Sequence, residues 1–157
     1  MILYSMVRCM NKNRFFNILV LILWLVIIFI MSSFNASDSG SQSNIIVSII
    51  SRIFNIKEVS ILSFLIRKLA HFTEYFILGI LSLNCFKDYS QDKKVIYFSI
   101  AFCIFYAMTD EFHQTFIPGR AGAIKDVLID SFGTVCGSIL HYNLFLKKVF
   151  KSGKQIR

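Results

Sequence analysis

The sequence predicts an all-α, polytopic membrane protein, a bundle of four transmembrane helices with an extracytoplasmic interfacial helix between spans 1 and 2. Of its 157 residues, 55% are hydrophobic and 17% are charged, whereas soluble domains average about 45–50% and about 25%. A chain of about 150 residues buries only about 70% of its surface on folding, which is too little to hide this much apolar area. Disordered chains have low hydrophobicity, so the composition excludes disorder as well.

Four apolar stretches have the length of a span, because a helix of about 20 residues crosses about 30 Å of hydrocarbon. The predicted spans cover about residues 15–34, 67–86, 95–116 and 124–146. The first contains an unbroken apolar run from Ile18 to Met31, and it is the clearest of the four. The predicted regions are a basic tail at 1–14, a membrane domain at 15–146 and a second basic tail at 147–157.

The first apolar stretch also has the form of a signal peptide, because Arg8, Lys12 and Arg14 precede it. Cleavage requires an A-x-A-like site with small residues, and here Phe34 stands two positions before Ala36. We therefore expect this stretch to remain in the protein as the first span.

The distribution of lysine and arginine predicts the orientation. The two tails and the connection between spans 2 and 3 carry eleven of these residues, and the segments on the other side carry six. Since cytoplasmic segments carry the excess of positive charge, we expect a multi-pass cell-membrane protein with both termini in the cytoplasm. The positive charge gathers at the ends of the chain and in one short connection, so nucleic acid is not an expected partner.

The connection between spans 1 and 2 is then extracytoplasmic. Residues 37–43 are predicted to form a polar, flexible turn. After this turn, apolar residues recur at helical spacing at Ile46, Ile49, Ile50, Ile53 and Phe54. This pattern predicts a helix that lies in the membrane interface, and a helix packed over the bundle explains it equally well.

Five of the nine acids and all three histidines lie in or at the ends of predicted spans. Ionisable groups are costly in a membrane and are functional candidates by default. The orientation brings the charged ends of spans 2, 3 and 4 to the same depth near the outer leaflet, so we expect one outward-facing site. The candidate catalytic residues are His71, Glu74, Asp110, Glu111, His113 and Asp126. The candidate substrate-binding residues are Gln114, Arg120 and Asp130.

The fourth span indicates which way its acids point. Asp126, Asp130, Gly133 and Gly137 share one helical face. Glycines four residues apart allow the backbone of another helix to approach closely. We therefore expect this face, with its acids, to point into the bundle.

Arg120 lies in a tight turn that begins at Pro118 and Gly119, between spans 3 and 4. Its forked guanidinium suits a phosphate or carboxylate ligand. The alternative is structural, since basic residues such as Arg120 and Lys68 also neutralise nearby acids. We expect Arg120 at the mouth of a cavity that Asp126 borders, with His71 or Glu74 close to the charged end of span 3.

Three motif blocks resemble the VanZ-like family. They are Lys68-Leu-Ala-His71-Phe-Thr-Glu74, then Thr109-Asp110-Glu111-Phe-His113-Gln114 with Pro118-Gly119-Arg120, then Asp126-Val-Leu-Ile-Asp130-Ser-Phe-Gly133. The resemblance implies a small bacterial cell-envelope protein, and the founding member is associated with low-level resistance to the glycopeptide teicoplanin. The family has been suggested to be an intramembrane enzyme, and it often has Asn at the position of Asp130.

An intramembrane enzyme is the first interpretation of these residues. It would hydrolyse or transfer a group on a lipid-linked or cell-wall substrate, with His71 or His113 as general acid/base or nucleophile. The sequence has no dinucleotide fingerprint, P-loop or GxSxG elbow. No cofactor is assigned. Histidine with carboxylates is able to hold a divalent ion, but HxxE and DExH lack the histidine pair of HExxH, so no metal ligand is assigned either.

Two alternatives stay open. A non-enzymatic protein would bind or shield a lipid-linked cell-wall intermediate or a glycopeptide with the same residues. An ion-coupled transporter would move protons through its membrane carboxylates, although the sequence has no internal repeat. The lipid bilayer is the expected surrounding in each case, and a homo-oligomer stays open.

Labelling from outside the cell tests the orientation. Single cysteines replace Ser39 and Ser152 in a cysteine-free chain, and intact cells are treated with an impermeant thiol reagent. Because the tails carry the positive charge, we expect Ser39→Cys to be labelled and Ser152→Cys to react only in opened cells. Labelling of Ser152→Cys but not Ser39→Cys in intact cells would reverse the orientation.

Overall fold

The computed structural model describes residues 12–34, 47–54, 58–89 and 92–146 of the chain. Within these ranges the chain forms helices and turns and no strand, which confirms the predicted all-α class. The long helices are α1 (Lys12–Ser32), α2 (Val59–Phe86), α3 (Val95–Gln114) and α4 (Ile124–His141). A π-helical turn, Tyr142–Leu146, continues α4.

Helix α2 lies at the centre of the bundle. It packs against α1, α3 and α4, and its contact with α4 is the most extensive between the helices that the structure describes. Helix α1 packs on α2 and α3, and α3 also packs against α4. The charged motif of α2 therefore faces helices that carry the other two motif blocks.

Three of the described helices are long and apolar enough to cross a membrane: Asn13–Ser32, Val59–Phe86 and Val95–Gln114. Helix α4 differs because its 18 residues include Lys125, Asp126 and Asp130. Its outer side is nevertheless apolar, with Leu128 and Phe132 exposed. A membrane protein is supported, and a fourth span stays a prediction.

Helix α2 begins at Val59, well before the predicted start of the second span at residue 67. The apolar residues ahead of Arg67 continue the helix, so the charged pair Arg67-Lys68 is internal and does not mark a boundary. At 1.5 Å per residue its 28 residues extend about 42 Å. Because this exceeds the hydrocarbon thickness, the helix has to tilt or extend beyond it.

Small residues let α4 lie directly against α2. A Cβ atom on Gly133 would lie 2.5 Å from the carbonyl oxygen of Phe72, and one on Gly137 would clash with the carbonyl oxygen of Phe76. Ser138 adds a hydrogen bond, since its Oγ donates to the carbonyl oxygen of Gly79 over 3.2 Å. The expectation that the two glycines of α4 face another helix closely is confirmed, and that helix is α2.

Polar side chains fix α1 to the rest of the bundle. The indole Nε1 of Trp24 donates to the carbonyl oxygen of Glu74 over 3.0 Å. The hydroxyl of Tyr106 donates to the carbonyl oxygen of Leu25 over 2.7 Å. These bonds connect α1 to α2 and to α3 next to the charged motifs.

The turn between α3 and α4 folds tightly onto the end of α3. Gly119 has a φ of 76°, a left-handed conformation that favours glycine. Gly122 lies so close to the backbone of Glu111 that a Cβ atom would clash with its carbonyl oxygen. The turn therefore holds the start of α4 beside the acids of α3.

Two expectations fall partly or wholly outside the described residues. The polar turn at 37–43 and most of the basic tails lie outside them. Residues 47–54 are helical, as their spacing predicts, and Ile49, Ile53 and Phe54 are exposed. The location of this segment in the membrane interface stays a prediction.

Enlarging Gly137 tests the packing of α2 against α4. We expect Gly137→Leu to lower the yield of folded protein strongly, since overpacking costs about 1–3 kcal/mol or more where a backbone blocks the new side chain. Fluorescence-detected gel filtration of detergent extracts measures the yield. Ile139→Phe is the control, because Ile139 is half exposed on the same helix. Equal yields for the two variants would place the glycine face of α4 away from α2.

Candidate functional site

Side chains from three helices meet in the interior of the bundle. A ring nitrogen of His71 on α2 and carboxylate oxygens of Glu111 on α3 and Asp130 on α4 all lie within 4.8 Å of one another. The Nδ1 atom of His71 lies 3.6 Å from Oδ1 of Asp130. We call these three residues the central cluster. Its geometry follows from α2, which packs against both other helices.

Glu111 and Asp130 of the central cluster are buried, His71 is partly buried, and the cluster is incompletely hydrogen-bonded. Asp130 is 0% exposed and Glu111 is 4% exposed. Neither oxygen of Asp130 has a hydrogen-bond partner, and Oε1 of Glu111 and Nδ1 of His71 also lack one. Buried polar atoms are normally paired, so several unpaired atoms in one place require an explanation.

The turn between α3 and α4 orients Glu111. The backbone N–H of Ala123 donates to Oε2 of Glu111 over 2.9 Å. One carboxylate oxygen is thereby fixed by the start of α4, and the other is left unpaired. Gly122 lies against the backbone of Glu111, and this close approach allows the next residue, Ala123, to make the bond.

A series of side-chain hydrogen bonds leads from the buried interior to the turn between α3 and α4. The guanidinium of Arg120 donates from Nη1 to Oε1 of Gln114 over 3.1 Å. The amide of Gln114 donates in turn to Oδ2 of Asp110 over 3.2 Å. Asp110 and Gln114 are buried, and Oδ1 of Asp110 has no hydrogen-bond partner. Arg120 is thus connected to a buried acid of α3 through Gln114.

Asp126 is engaged in an ion pair. Its carboxylate pairs with the ammonium group of Lys68 across the α2–α4 interface. The side chains of Lys68 and Asp126 are 24% and 15% exposed. For Asp126 the structure therefore supports the structural alternative, in which a basic neighbour neutralises the acid.

Glu74 lies one helical turn after His71 on α2. Its carboxylate interacts electrostatically with His71, Asp110 and Asp130. Glu74 also borders a mainly apolar groove, lined by Trp24, Ile66, Leu69, Ala70, Thr73, Glu74 and Ile77. It therefore stands between the polar interior and the groove beside α1.

His113 points in a different direction from Glu111. Two residues apart on a helix, their side chains differ by about 160° in direction. The ring of His113 packs on Phe29 of α1, with 4.6 Å between ring centroids. Among the described residues, His113 is not one of the groups gathered within 4.8 Å.

Sequence reasoning passed over Tyr75. Its side chain is fully buried, and its hydroxyl has no hydrogen-bond partner. The phenol interacts electrostatically with Asp110 and Asp130. Its position directly after Glu74 was the available signal, but in an apolar helix a tyrosine looks like an ordinary core residue.

The model of the VanZ/LLP1 family matches residues 16–146, which is most of the chain. The chain belongs to the VanZ/LLP1 family. The match extends over all four helices and contains every candidate site residue. Searches of curated proteins and of solved structures found no match.

Family membership and the three apolar helices together support a membrane protein. For this VanZ/LLP1 protein, the polar groups of interest are those that come from the three motif blocks and meet inside the bundle. His71, Glu111 and Asp130 do so directly, whereas Gln114 and Arg120 lead towards them.

Proposed function

We propose that this VanZ/LLP1 protein is an intramembrane enzyme that hydrolyses or transfers a group on a lipid-linked or cell-wall substrate. The observation that carries the proposal is the central cluster of His71, Glu111 and Asp130. Buried charged groups destabilise a bundle unless they are paired. A cluster with several unpaired atoms is therefore better explained by chemistry than by folding.

His71 is the proposed general acid and base, because imidazole titrates nearest physiological pH. Asp130 lies 3.6 Å from its Nδ1 atom and is suited to orient the ring and stabilise its charged form. The proton then moves between His71 and the attacking or leaving oxygen of the substrate. Glu111 is the second proposed acid/base, since one of its oxygens is unpaired.

Arg120 and Gln114 are the proposed contacts for an anionic substrate group. A guanidinium is suited to a phosphate because it donates several hydrogen bonds in one plane. Arg120 already donates to Gln114, and we propose that the substrate anion joins this pair at the turn. The excess of positive charge in the tails supports an orientation in which this turn faces outward.

Membership of this family supports a role in the bacterial cell envelope of the kind associated with glycopeptide resistance. A lipid-linked cell-wall intermediate at the outer leaflet fits an anion contact at the turn and acid/base groups below it. The apolar groove beside Glu74 is suited to an acyl chain of such a substrate.

The same groove favours one alternative, a protein that binds a lipid-linked ligand without turnover. A binding protein distributes its affinity over many contacts, so substitutions at Arg120, Glu111 and His71 would each weaken it in steps. An enzyme depends on one proton-transfer group far more than on the others.

Comparative lipid profiling tests the proposed activity. Cells that lack the gene are compared with cells that carry the wild-type chain, His71→Gln or Leu128→Ala at equal protein levels. We expect the wild-type chain to convert one envelope lipid into another, His71→Gln to slow this conversion about 10²–10⁴-fold, and Leu128→Ala to match the wild type. Leu128 is exposed on α4, so its truncation is a suitable control.

Full conversion by His71→Gln would contradict the role of His71. A binding protein would instead cause an unaltered lipid to accumulate. The amount of this lipid would then fall in steps on substitution of Arg120, Glu111 and His71.

A further inference from the structure

We propose that the central cluster binds one divalent transition-metal ion, with His71, Glu111 and Asp130 as its protein ligands. When the ion is bound, these residues would act as its ligands and not as the proton-transfer groups described above, and the ion would activate a water molecule or polarise a substrate oxygen. That enzymatic role rests on the function proposed above, whereas the binding of the ion does not. One imidazole nitrogen and two carboxylates from three helices lie within 4.8 Å of one another, and such a donor set is able to hold one ion.

The separations between the donor atoms are compatible with a metal ion. A distance of 3.6 Å separates Nδ1 of His71 from Oδ1 of Asp130, which is too long for a hydrogen bond. Two ligands at about 2.1 Å from a tetrahedral ion lie about 3.4 Å apart. The full set lies within 4.8 Å, so side-chain adjustments of about an ångström close it around an ion.

The unsatisfied atoms of the cluster point to a missing partner. Asp130 is 0% exposed, and neither of its oxygens has a hydrogen-bond partner. Oε1 of Glu111 is also buried and unpaired. When both are ionised, two carboxylates this close repel each other strongly in a medium of low dielectric constant, and a divalent cation would neutralise both.

The surroundings hold the ligands in place. The N–H of Ala123 fixes Oε2 of Glu111, which is the kind of outer hydrogen bond that orients metal ligands. Lys68 is paired with Asp126, and Arg120 donates to Gln114. The basic side chains of Lys68 and Arg120 are therefore both engaged with other groups.

The chemical types of the ligand atoms also favour some divalent ions over others. Imidazole favours zinc and its neighbours, and carboxylates suit manganese as well. Magnesium prefers an octahedral shell of oxygens and retains its water, so it fits this buried set poorly. We expect Zn²⁺ to bind more tightly than Mn²⁺, in line with the usual order of affinities.

Electron paramagnetic resonance of Mn²⁺ tests the proposal on the full-length protein in detergent micelles. The signal of free Mn²⁺ is lost on binding, so titration gives the number of sites and the affinity without any enzymatic assay. We expect one site per chain, displaced by an equal concentration of Zn²⁺ and not by Mg²⁺.

Loss of even an outer hydrogen bond costs about 10–100-fold in metal affinity, so loss of a ligand should weaken binding by at least about tenfold. We expect this for His71→Leu and Asp130→Leu. If Asp130→Leu does not fold, Asp130→Asn replaces it, because asparagine keeps the shape of the side chain. We expect Asp130→Asn to weaken binding as well. Asp92→Asn is the matched control, since Asp92 is an exposed acid outside the cluster, and it should retain the wild-type affinity.

Absence of Mn²⁺ binding, displacement by an equal concentration of Mg²⁺, or unchanged binding in the His71→Leu and Asp130 variants would overturn the metal site. A protein that converts its lipid without binding Mn²⁺ would still support acid/base catalysis by His71. A protein that binds Mn²⁺ but converts no lipid would support this proposal and contradict the enzyme. The two failures are therefore distinguishable.

Discussion

The close approach of α4 to α2 determines how the other helices and their polar side chains are placed. Gly133 and Gly137 allow the backbone of α4 to lie against Phe72 and Phe76. Asp130 stands one turn before Gly133, so the same contact carries its carboxylate into the interior beside His71. In a membrane, where lipid is as apolar as any side chain, such packing replaces the hydrophobic effect as the source of association.

Around this contact the bundle satisfies some polar groups and leaves others unpaired. Hydroxyl groups towards the other end of α4 donate to carbonyl oxygens of α2, as Ser138 does to Gly79. At the start of α4, the pair Lys68–Asp126 is complete, whereas Asp130 has only a distant histidine. The polar groups that join α2 to α4 at these points are therefore paired, whereas the oxygens of Asp130 are available for a ligand.

Much of this was predictable from the sequence, because helix length, apolar runs and glycine spacing act locally. The positions of the helices and the inward face of α4 follow from such patterns. The start of α2 and the surroundings of His113 were not predictable from such patterns, because they depend on neighbouring helices. The sequence offers Lys68 as a partner for a nearby acid but does not identify that acid as Asp126, and it gives no sign that His113 packs on Phe29. The expected depth of the charged helix ends in the membrane predicted which residues are candidates for the site. Which of these candidates meet depends on how the helices pack.

We infer that Asp130 is kept for function at a cost to stability, and thermal unfolding of the metal-free protein in detergent measures that cost. Asp130→Asn removes the charge and keeps the shape. We expect its melting temperature to equal or exceed that of the wild type, because a buried carboxylate without hydrogen bonds destabilises the bundle. A fall equivalent to about 3–5 kcal/mol, as expected when one partner of a buried structural ion pair is removed, would show that Asp130 holds the fold together.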